Sequence, residues 1–361
     1  MKVVTILGTR PEIIRLSRLI PLLDGLCDHV LVHTGQNFEP LLSAVFFDEL
    51  GVRAPDHSLD CRGSTIMEQV ATILVATERV LATERPDRVL ILGDTNSALA
   101  AIVAKRMAIP VYHMEAGNRC FDDRVPEEVN RRIVDHSSDV LLPYTSGSRA
   151  NLLREGIGSD RIHVTGNPIG EVLDFYADRI DGSDVVRRLG LAPGRFLLAS
   201  LHRAENVDVP ERLGSFVEAF RRLHHELDVP VVWSVHPRTR SVLDDAGVAV
   251  GEGDGIVAIE PVGLFDFVHL ERTALCVLTD SGTVQEECCL LHVPSVILRD
   301  VTERPETLEV GSTRLSGAEP GSIVDAVRAA LAAPPDWTPP PEYLVPNVSS
   351  VVAGIVTGRA S

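Results

Sequence analysis

Three carboxylates stand where an α/β enzyme would keep its acids and bases. Asp94 ends the apolar run 89–92 in Gly93-Asp94-Thr95, Glu115 follows the run 111–113 in His113-Met114-Glu115-Ala116-Gly117, and Glu127 opens a helical pattern in Pro126-Glu127-Glu128. A strand-end carboxylate lifted toward neutrality by burial can move a proton at neutral pH. The same residues also fit a helix-capping Asp94 and surface glutamates facing Arg131 and Arg132. A second constellation is Thr279-Asp280-Ser281-Gly282 before a helical stretch. Small residues at such a turn let backbone N–H groups and the helix dipole reach a phosphate, and Glu287, five residues on, could accept from a ribose diol. The plainer reading of Ser281-Gly282 is an N-cap. Downstream, Thr302 and Arg304 offer hydroxyl and forked guanidinium donors to phosphate oxygens.

Gly8-Thr9-Arg10-Pro11 repeats the pattern near the N-terminus: a tight turn, a cation and a proline that opens a helix. His202 beside Arg203, and His236 beside Pro237-Arg238, each follow a strand-like run, and histidine is the side chain suited to proton transfer near neutral pH. A lone histidine is as readily structural. The chain lacks the three-glycine dinucleotide fingerprint and the Gly-x-x-x-x-Gly-Lys-Ser/Thr phosphate loop. His113-x-Glu115 has no third ligand at a recognisable interval, and no Asp-x-Asp pattern of metal-dependent sugar-nucleotide transferases occurs. Neither a cofactor nor a metal is expected.

The elements that must position these residues are short apolar runs at 3–7, 30–33, 89–92, 111–113, 196–200, 231–235 and 275–279, alternating with helical patterns. Runs without polar alternation are strands covered on both faces, which predicts parallel sheets with helices on each side. Both halves start with a strand entering a basic loop and later carry a strand ending in Asp before small residues and a helix. That predicts two doubly wound α/β domains dividing near Gly166-Asn167-Pro168, after a short strand at 162–164, with the ligand at the strand C-terminal ends between them.

Composition agrees with a globular enzyme. The chain has 361 residues, 45% hydrophobic and 24% charged, with Lys+Arg 34 against Asp+Glu 51 and a net charge of −17. Such acidity disfavours a nucleic-acid or anionic-membrane surface. No basic leader or long uncharged apolar segment is apparent, so a cytoplasmic protein is expected. The six cysteines follow neither metal spacing nor a disulfide framework and read as buried thiols.

Together these segments resemble the non-hydrolysing UDP-N-acetylglucosamine 2-epimerase family. The resemblance rests on Gly-Thr-Arg-Pro-Glu at 8–12, Gly93-Asp94-Thr95, Glu115-Ala116-Gly117, Pro126-Glu127-Glu128 with Asn130-Arg131-Arg132, and Gly166-Asn167-Pro168. It continues through His202-Arg203-x-Glu205-Asn206, Asp280-Ser281-Gly282 with Gln285-Glu286-Glu287, and Arg299-Asp300 with Thr302-Glu303-Arg304-Pro305-Glu306. It implies two Rossmann-like domains of the glycosyltransferase-B type, 1–167 and 168–346, with a C-terminal helix at about 347–361 packing back on the first. Position by position it implies catalysis by Asp94, Glu115, Glu127, Arg131 and His202. UDP-sugar binding falls to Arg10, Arg15, His236, Arg238, Phe267, Ser281, Gly282, Glu287 and Arg304. It also implies a homodimer.

Two segments depart from the family pattern. Arg15 stands where a lysine is frequent, and Gly35-Gln36-Asn37-Phe38-Glu39 replaces a segment tied to activation by substrate in some bacterial members. The loop 118–125 resembles the branch acting on modified UDP-2-acetamido sugars, either 6-deoxy types or diacetamido uronates. UDP-GlcNAc is the first expectation and those sugars the alternative; a transferase of the same fold and a UDP-sugar sensor are further alternatives.

Overall fold

The structure, a computed structural model, describes residues 1–36, 46–235, 237–245, 247–248 and 250–359, without the side chains of residues 204, 237, 238 and 252. Two compact units result, Met1–Asp174 with Pro341–Ser361, and Phe175–Pro340.

The first unit is built on strands β1 (Lys2–Leu7), β2 (Asp28–His33), β3 (His57–Ser58), β4 (Arg88–Leu92), β5 (Val111–Met114) and β6 (Val140–Leu142). They pair in parallel in the order 3-2-1-4-5-6. The second unit uses β7 (Leu197–Leu201), β8 (Val231–Val235), β9 (Ile256–Ile259), β10 (Cys276–Thr279), β11 (Ser295–Ile297) and β12 (Thr313–Leu315). Its order, 12-11-10-7-8-9, is the same sequence read from the other edge, so both sheets reverse direction once beside their first strand. Ligands of doubly wound sheets bind beyond the strand C-termini at that reversal. In the first unit the reversal lies between β1 and β4; in the second, between β7 and β10.

The apolar runs become central strands because their few hydroxyls are small and paired, Thr5 with His29 and Ser200 with Thr279, each at 2.8 Å. Val3, Val4, Ile6 and Leu7 are buried to 2% exposure or less, as are Val277 and Leu278. Trp233 fills the second core edge-on to Phe220, ring centroids 5.4 Å apart. The strand expected at 162–164 is only an isolated bridge, Leu141 to Ile162, since Val164 is 40% exposed and has no sheet face to cover.

The units divide at Asp174/Phe175, some residues beyond the expected 167/168. The helix Pro168–Phe175 buries Ile169 and Val172 completely, and its Glu171 accepts from the backbone N–H of Ser349 at 2.8 Å, which ties it to the C-terminal helix Val348–Thr357. Arg88 in turn donates to the carbonyl of Val356.

Candidate active site

At the first reversal, two loops are joined by a carboxylate that sequence reasoning passed over. Glu12, 2% exposed in the helix Arg10–Leu16, accepts from the backbone N–H of Gly8 and of Thr9, each at 2.6 Å, and from the hydroxyls of Thr9 (3.1 Å) and Thr95 (2.8 Å). Thr95 follows Asp94, so Glu12 fastens the end of β1 to that of β4. Burial pushes its carboxyl up to about 7 against the pull of those four donors.

A consequence is measurable. An acid that holds its proton longer folded than unfolded stabilises the fold below its unfolded pKa, and that advantage fades as pH climbs from the ordinary 4.5 to about 7. The loss is of order 3 kcal/mol. Glu12→Gln keeps an acceptor for the two N–H groups and can donate to Thr95, so its melting temperature should vary less between about pH 5 and pH 8 than that of the parent chain. Parallel profiles would remove Glu12 as the titrating group.

Asp94 lies at the mouth of this loop, its side chain 20% exposed, with the Arg131 Nε 3.1 Å from Oδ2. Arg131 is 2% exposed in the helix Pro126–Ser137 and is also held by Glu128, 3.2 Å from Nη1. From the same helix Asn130 donates to the Asp94 carbonyl at 2.9 Å. Glu115 has φ +67, a left-handed conformation that costs a bulky side chain energy and marks a position fixed by its surroundings. Its carboxylate pairs with buried Arg15, whose guanidinium lies 5.7 Å from the Tyr144 ring centroid, and takes a 3.4 Å contact from Asn118. A Cβ added to Gly93 would stand 3.9 Å from Glu115 Oε2, so the Asp94 and Glu115 loops meet. Glu127, half-buried, starts the helix that carries Arg131. Arg10 is exposed, its guanidinium 5.0 Å from the Phe46 ring centroid.

At the second reversal the organiser is Asp280, fully buried at the end of β10. It accepts from the backbone N–H groups of His202 (3.2 Å) and Arg203 (3.1 Å) and from the Asn206 amide (3.0 Å), and stands 3.0 Å from His202 Nδ1. Burial opposes its charge, yet His202 and these donors hold the carboxyl down at about 2. With Nδ1 tied to a carboxylate and the ring 56% exposed, His202 keeps Nε2 for another partner.

Beside it, Ser281 caps the helix Gly282–Leu291, its hydroxyl accepting from the Val284 N–H at 3.5 Å. A Cβ on Gly282 would come within 2.8 Å of Glu303 Oε1 and 3.7 Å of the Arg304 guanidinium. Glu303 is gripped by Arg203 (3.3 Å) and Arg299 (2.8 Å), and Arg304 pairs with Glu286. Glu287 is 3% exposed on the same helix. Phe267, 9% exposed, packs with Ile259, Leu270 and Val284 in the core. His236, the side chain of Arg238 and residues 37–39 lie outside the described residues.

The expected basic residues are therefore set among carboxylates: Arg131 against Asp94 and Glu128, Arg203 and Arg299 against Glu303, Arg304 against Glu286. Among the described residues no three His, Cys, Asp or Glu gather as a metal would need, and no helix is long and apolar enough to cross a membrane.

Residues 24–355 match the family model of UDP-N-acetylglucosamine 2-epimerases. The chain belongs to that family. It is 41% identical over 347 residues to the UDP-N-acetylglucosamine 2-epimerase of Methanocaldococcus jannaschii, covering 94% of this chain and 95% of that one. The crystal structure of the M. jannaschii UDP-GlcNAc 2-epimerase in complex with UDP-GlcNAc and UDP superposes with TM-score 0.94 at 39% identity, over 99% of this chain and all of that one. A UDP-2,3-diacetamido-2,3-dideoxy-D-glucuronate 2-epimerase from Pseudomonas aeruginosa is 38% identical over 339 residues, 92% of each chain. As a member of the 2-epimerase family the protein is an isomerase with an α/β fold of the glycosyltransferase-B type.

Proposed function

We propose that the protein interconverts UDP-GlcNAc and UDP-ManNAc without hydrolysing them. The observation that carries this reading is the paired equipment of the two reversals: acids fixed at strand ends in one unit, and a capped helix start with Arg304 and Glu287 in the other. The C2 proton of the sugar has no adjacent carbonyl to acidify it, so enolisation is closed. Elimination is open. A base removes the C2 proton as the C1–O bond to UDP breaks, giving a 2-acetamidoglucal and UDP. UDP oxygen then re-adds to C1 while a proton reaches C2 from the opposite face. The sequence is redox-neutral and needs an acid or base on each face, plus stabilisation of the departing diphosphate.

In this reading Asp94, Glu115 and Glu127 serve the two faces and Arg131 sets the charge of Asp94. His202, oriented by Asp280, addresses the leaving group. Ser281, Gly282 and Arg304, with Arg10, hold phosphates, Glu287 holds the ribose, and Arg15 keeps Glu115 in place. His236, Arg238 and Phe267 belong to the nucleotide side. The expected homodimer and cytoplasmic location belong to the same proposal, as does the absence of a nucleic-acid or membrane partner.

One observation favours a second reading. The uronate 2-epimerase relative, at 38% identity, is nearly as similar as the Methanocaldococcus jannaschii enzyme at 41%, in line with the resemblance of loop 118–125 to the branch acting on modified sugars. A panel of UDP-GlcNAc, its 6-deoxy analogues and UDP-diacetamido uronates, scored by proton NMR, separates them. We expect C2-epimer from UDP-GlcNAc with the highest kcat/KM. Turnover confined to the uronates would replace this substrate assignment and leave the chemistry standing.

A further inference from the structure

Behind the Asp94 and Glu115 loops lies a buried charged cluster for which the proposed chemistry has no use. His113, on β5 and 1% exposed, has Nε2 2.8 Å from the carbonyl of Gly93 and Nδ1 2.8 Å from Asp135 Oδ1. A carbonyl can only accept, so Nε2 is the donor to Gly93, and Nδ1 faces the carboxylate. Asp135, fully buried at the far end of the Pro126–Ser137 helix, also takes the Gly117 N–H at 3.1 Å and the Arg119 guanidinium at 2.8 Å. Arg119 is in turn clasped by Glu155, at 2.8 Å from Nε and 2.6 Å from Nη2. His113, Asp135, Arg119 and Glu155 thus form one chain of paired polar groups.

What the cluster grips is informative. Gly93 precedes Asp94 and adopts φ +76; Gly117 lies two residues past Glu115 and adopts φ +81. Both glycines lie in turns outside any regular element; the Gly93 N–H donates to the Met114 carbonyl at the end of β5 at 3.1 Å, and the Gly117 carbonyl accepts from Asn151 at 2.9 Å. A Cβ on Gly117 would come within 2.3 Å of the Ser148 carbonyl, so this turn is packed hard against the next helix, Ser146–Arg154. His113 and Asp135 thus fasten the backbone on which two proposed acids are mounted to the helix that carries Arg131 and Asn130, the residues that meet Asp94 directly.

We propose that His113 is a positioning residue for 2-epimerisation, acting through its Nε2–H bond to the Gly93 carbonyl to fix where the Asp94 carboxylate stands. It touches no substrate in this assignment. Its effect is on the rate of the proton-transfer step: a shift of about 1 Å in a catalytic group can cost on the order of a hundredfold in rate without altering ground-state binding. The inference rests on the epimerase reading above, because it presumes that Asp94 moves a proton.

Two amide substitutions separate the ring nitrogens. Glutamine places its amide near the position of Nε2 and can still donate to Gly93; asparagine reaches only the position of Nδ1 and serves Asp135 alone. Both remove the ring, so a merely structural role would weaken both alike. The measurement is steady-state kinetics on the full chain with UDP-GlcNAc, alongside UDP affinity and melting temperature. His113→Gln is expected to keep kcat within about threefold, and His113→Asn to lose about 10- to 100-fold in kcat, with KM and UDP affinity unchanged in both. Where the Asn variant is insoluble, His113→Met, of similar length and without a donor, is read in its place.

Equal kcat in the donor-retaining and donor-lacking variants, or loss that tracks melting temperature or KM, overturns the proposal. Failure of the underlying reading looks different: the unsubstituted chain would itself form no epimer from any member of the UDP-sugar panel.

Discussion

Replacing Asp94 by Asn lowers kcat for 2-epimerisation about 10³-fold and leaves UDP affinity within about threefold, the range expected when one acid–base group is lost. The substitution is nearly isosteric. An Asn oxygen can stand where Oδ2 stands, 3.1 Å from the Arg131 Nε, and Glu128 still pairs with Nη1, so the buried guanidinium keeps a charged partner. The Asn130 bond goes to the backbone carbonyl of residue 94 and is indifferent to the side chain. What disappears is the capacity to take and return a proton. Of the groups assigned to UDP, Ser281, Gly282, Glu287 and Arg304 lie in the other unit. Titration calorimetry with UDP and NMR-monitored turnover together check this. Unchanged turnover would remove Asp94 from the mechanism, and parallel loss of UDP binding would recast it as a binding residue.

Gly282→Ala acts in the second unit and on the opposite parameter. Its new Cβ would stand 2.8 Å from Glu303 Oε1, a separation that real Cβ atoms avoid. Glu303 is poorly placed to yield, being 4% exposed and held by Arg203 and Arg299. Any phosphate approaching the helix start meets the same methyl group. KM for the UDP-sugar should rise by about 10- to 100-fold, a cost of roughly 1.4 to 3 kcal/mol, with kcat changed far less. Gly214→Ala is the control: it lies in the helix Pro210–Leu227 of the same unit with open space where the Cβ goes. There alanine should stabilise by about 0.5–1 kcal/mol and leave KM alone. An unaltered KM in Gly282→Ala would mean that the diphosphate does not approach this turn.

The sequence makes some of this arrangement visible and hides the rest for identifiable reasons. Strands β1, β4, β7 and β10 announce themselves because each is covered on both faces and so shows no polar alternation, its interior broken only by the small hydroxyls of Thr5 and Ser200. Their C-terminal neighbours, Asp94, Ser281 and Gly282, are legible for the same reason: they are where an apolar run stops. Short β3, β9 and β12 escape notice because they lie at or beside sheet edges, where fewer residues need cover.

The supporting carboxylates are harder. Thr9-x-x-Glu12 is a capping box that a local pattern can show, but the reach of Glu12 to Thr95 across 83 residues and of Asp280 to His202 across 78 has no local mark. Glu12 and Asp280 stood inside the quoted motifs, yet only the fold reveals that each joins two loops at a sheet reversal. The arginines teach a related lesson. Read from sequence, Arg10, Arg131, Arg203, Arg238 and Arg304 supply a local positive field that lets a chain of charge −17 take an anionic ligand. In the structure Arg131, Arg203 and Arg304 are each matched with a carboxylate. Recognition of a diphosphate then rests on directed donors, backbone N–H groups and guanidinium edges, more than on excess charge.

The central claim is that C2 loses its proton in every turnover while the C1–O bond to UDP breaks. Incubating unlabelled UDP-GlcNAc with the protein in deuterated water and following C2 by proton NMR tests it directly. The account predicts that the C2 proton signal vanishes from both epimers, with deuterium incorporated at C2 as equilibrium is approached. Epimerisation that keeps the original proton at C2 would contradict it.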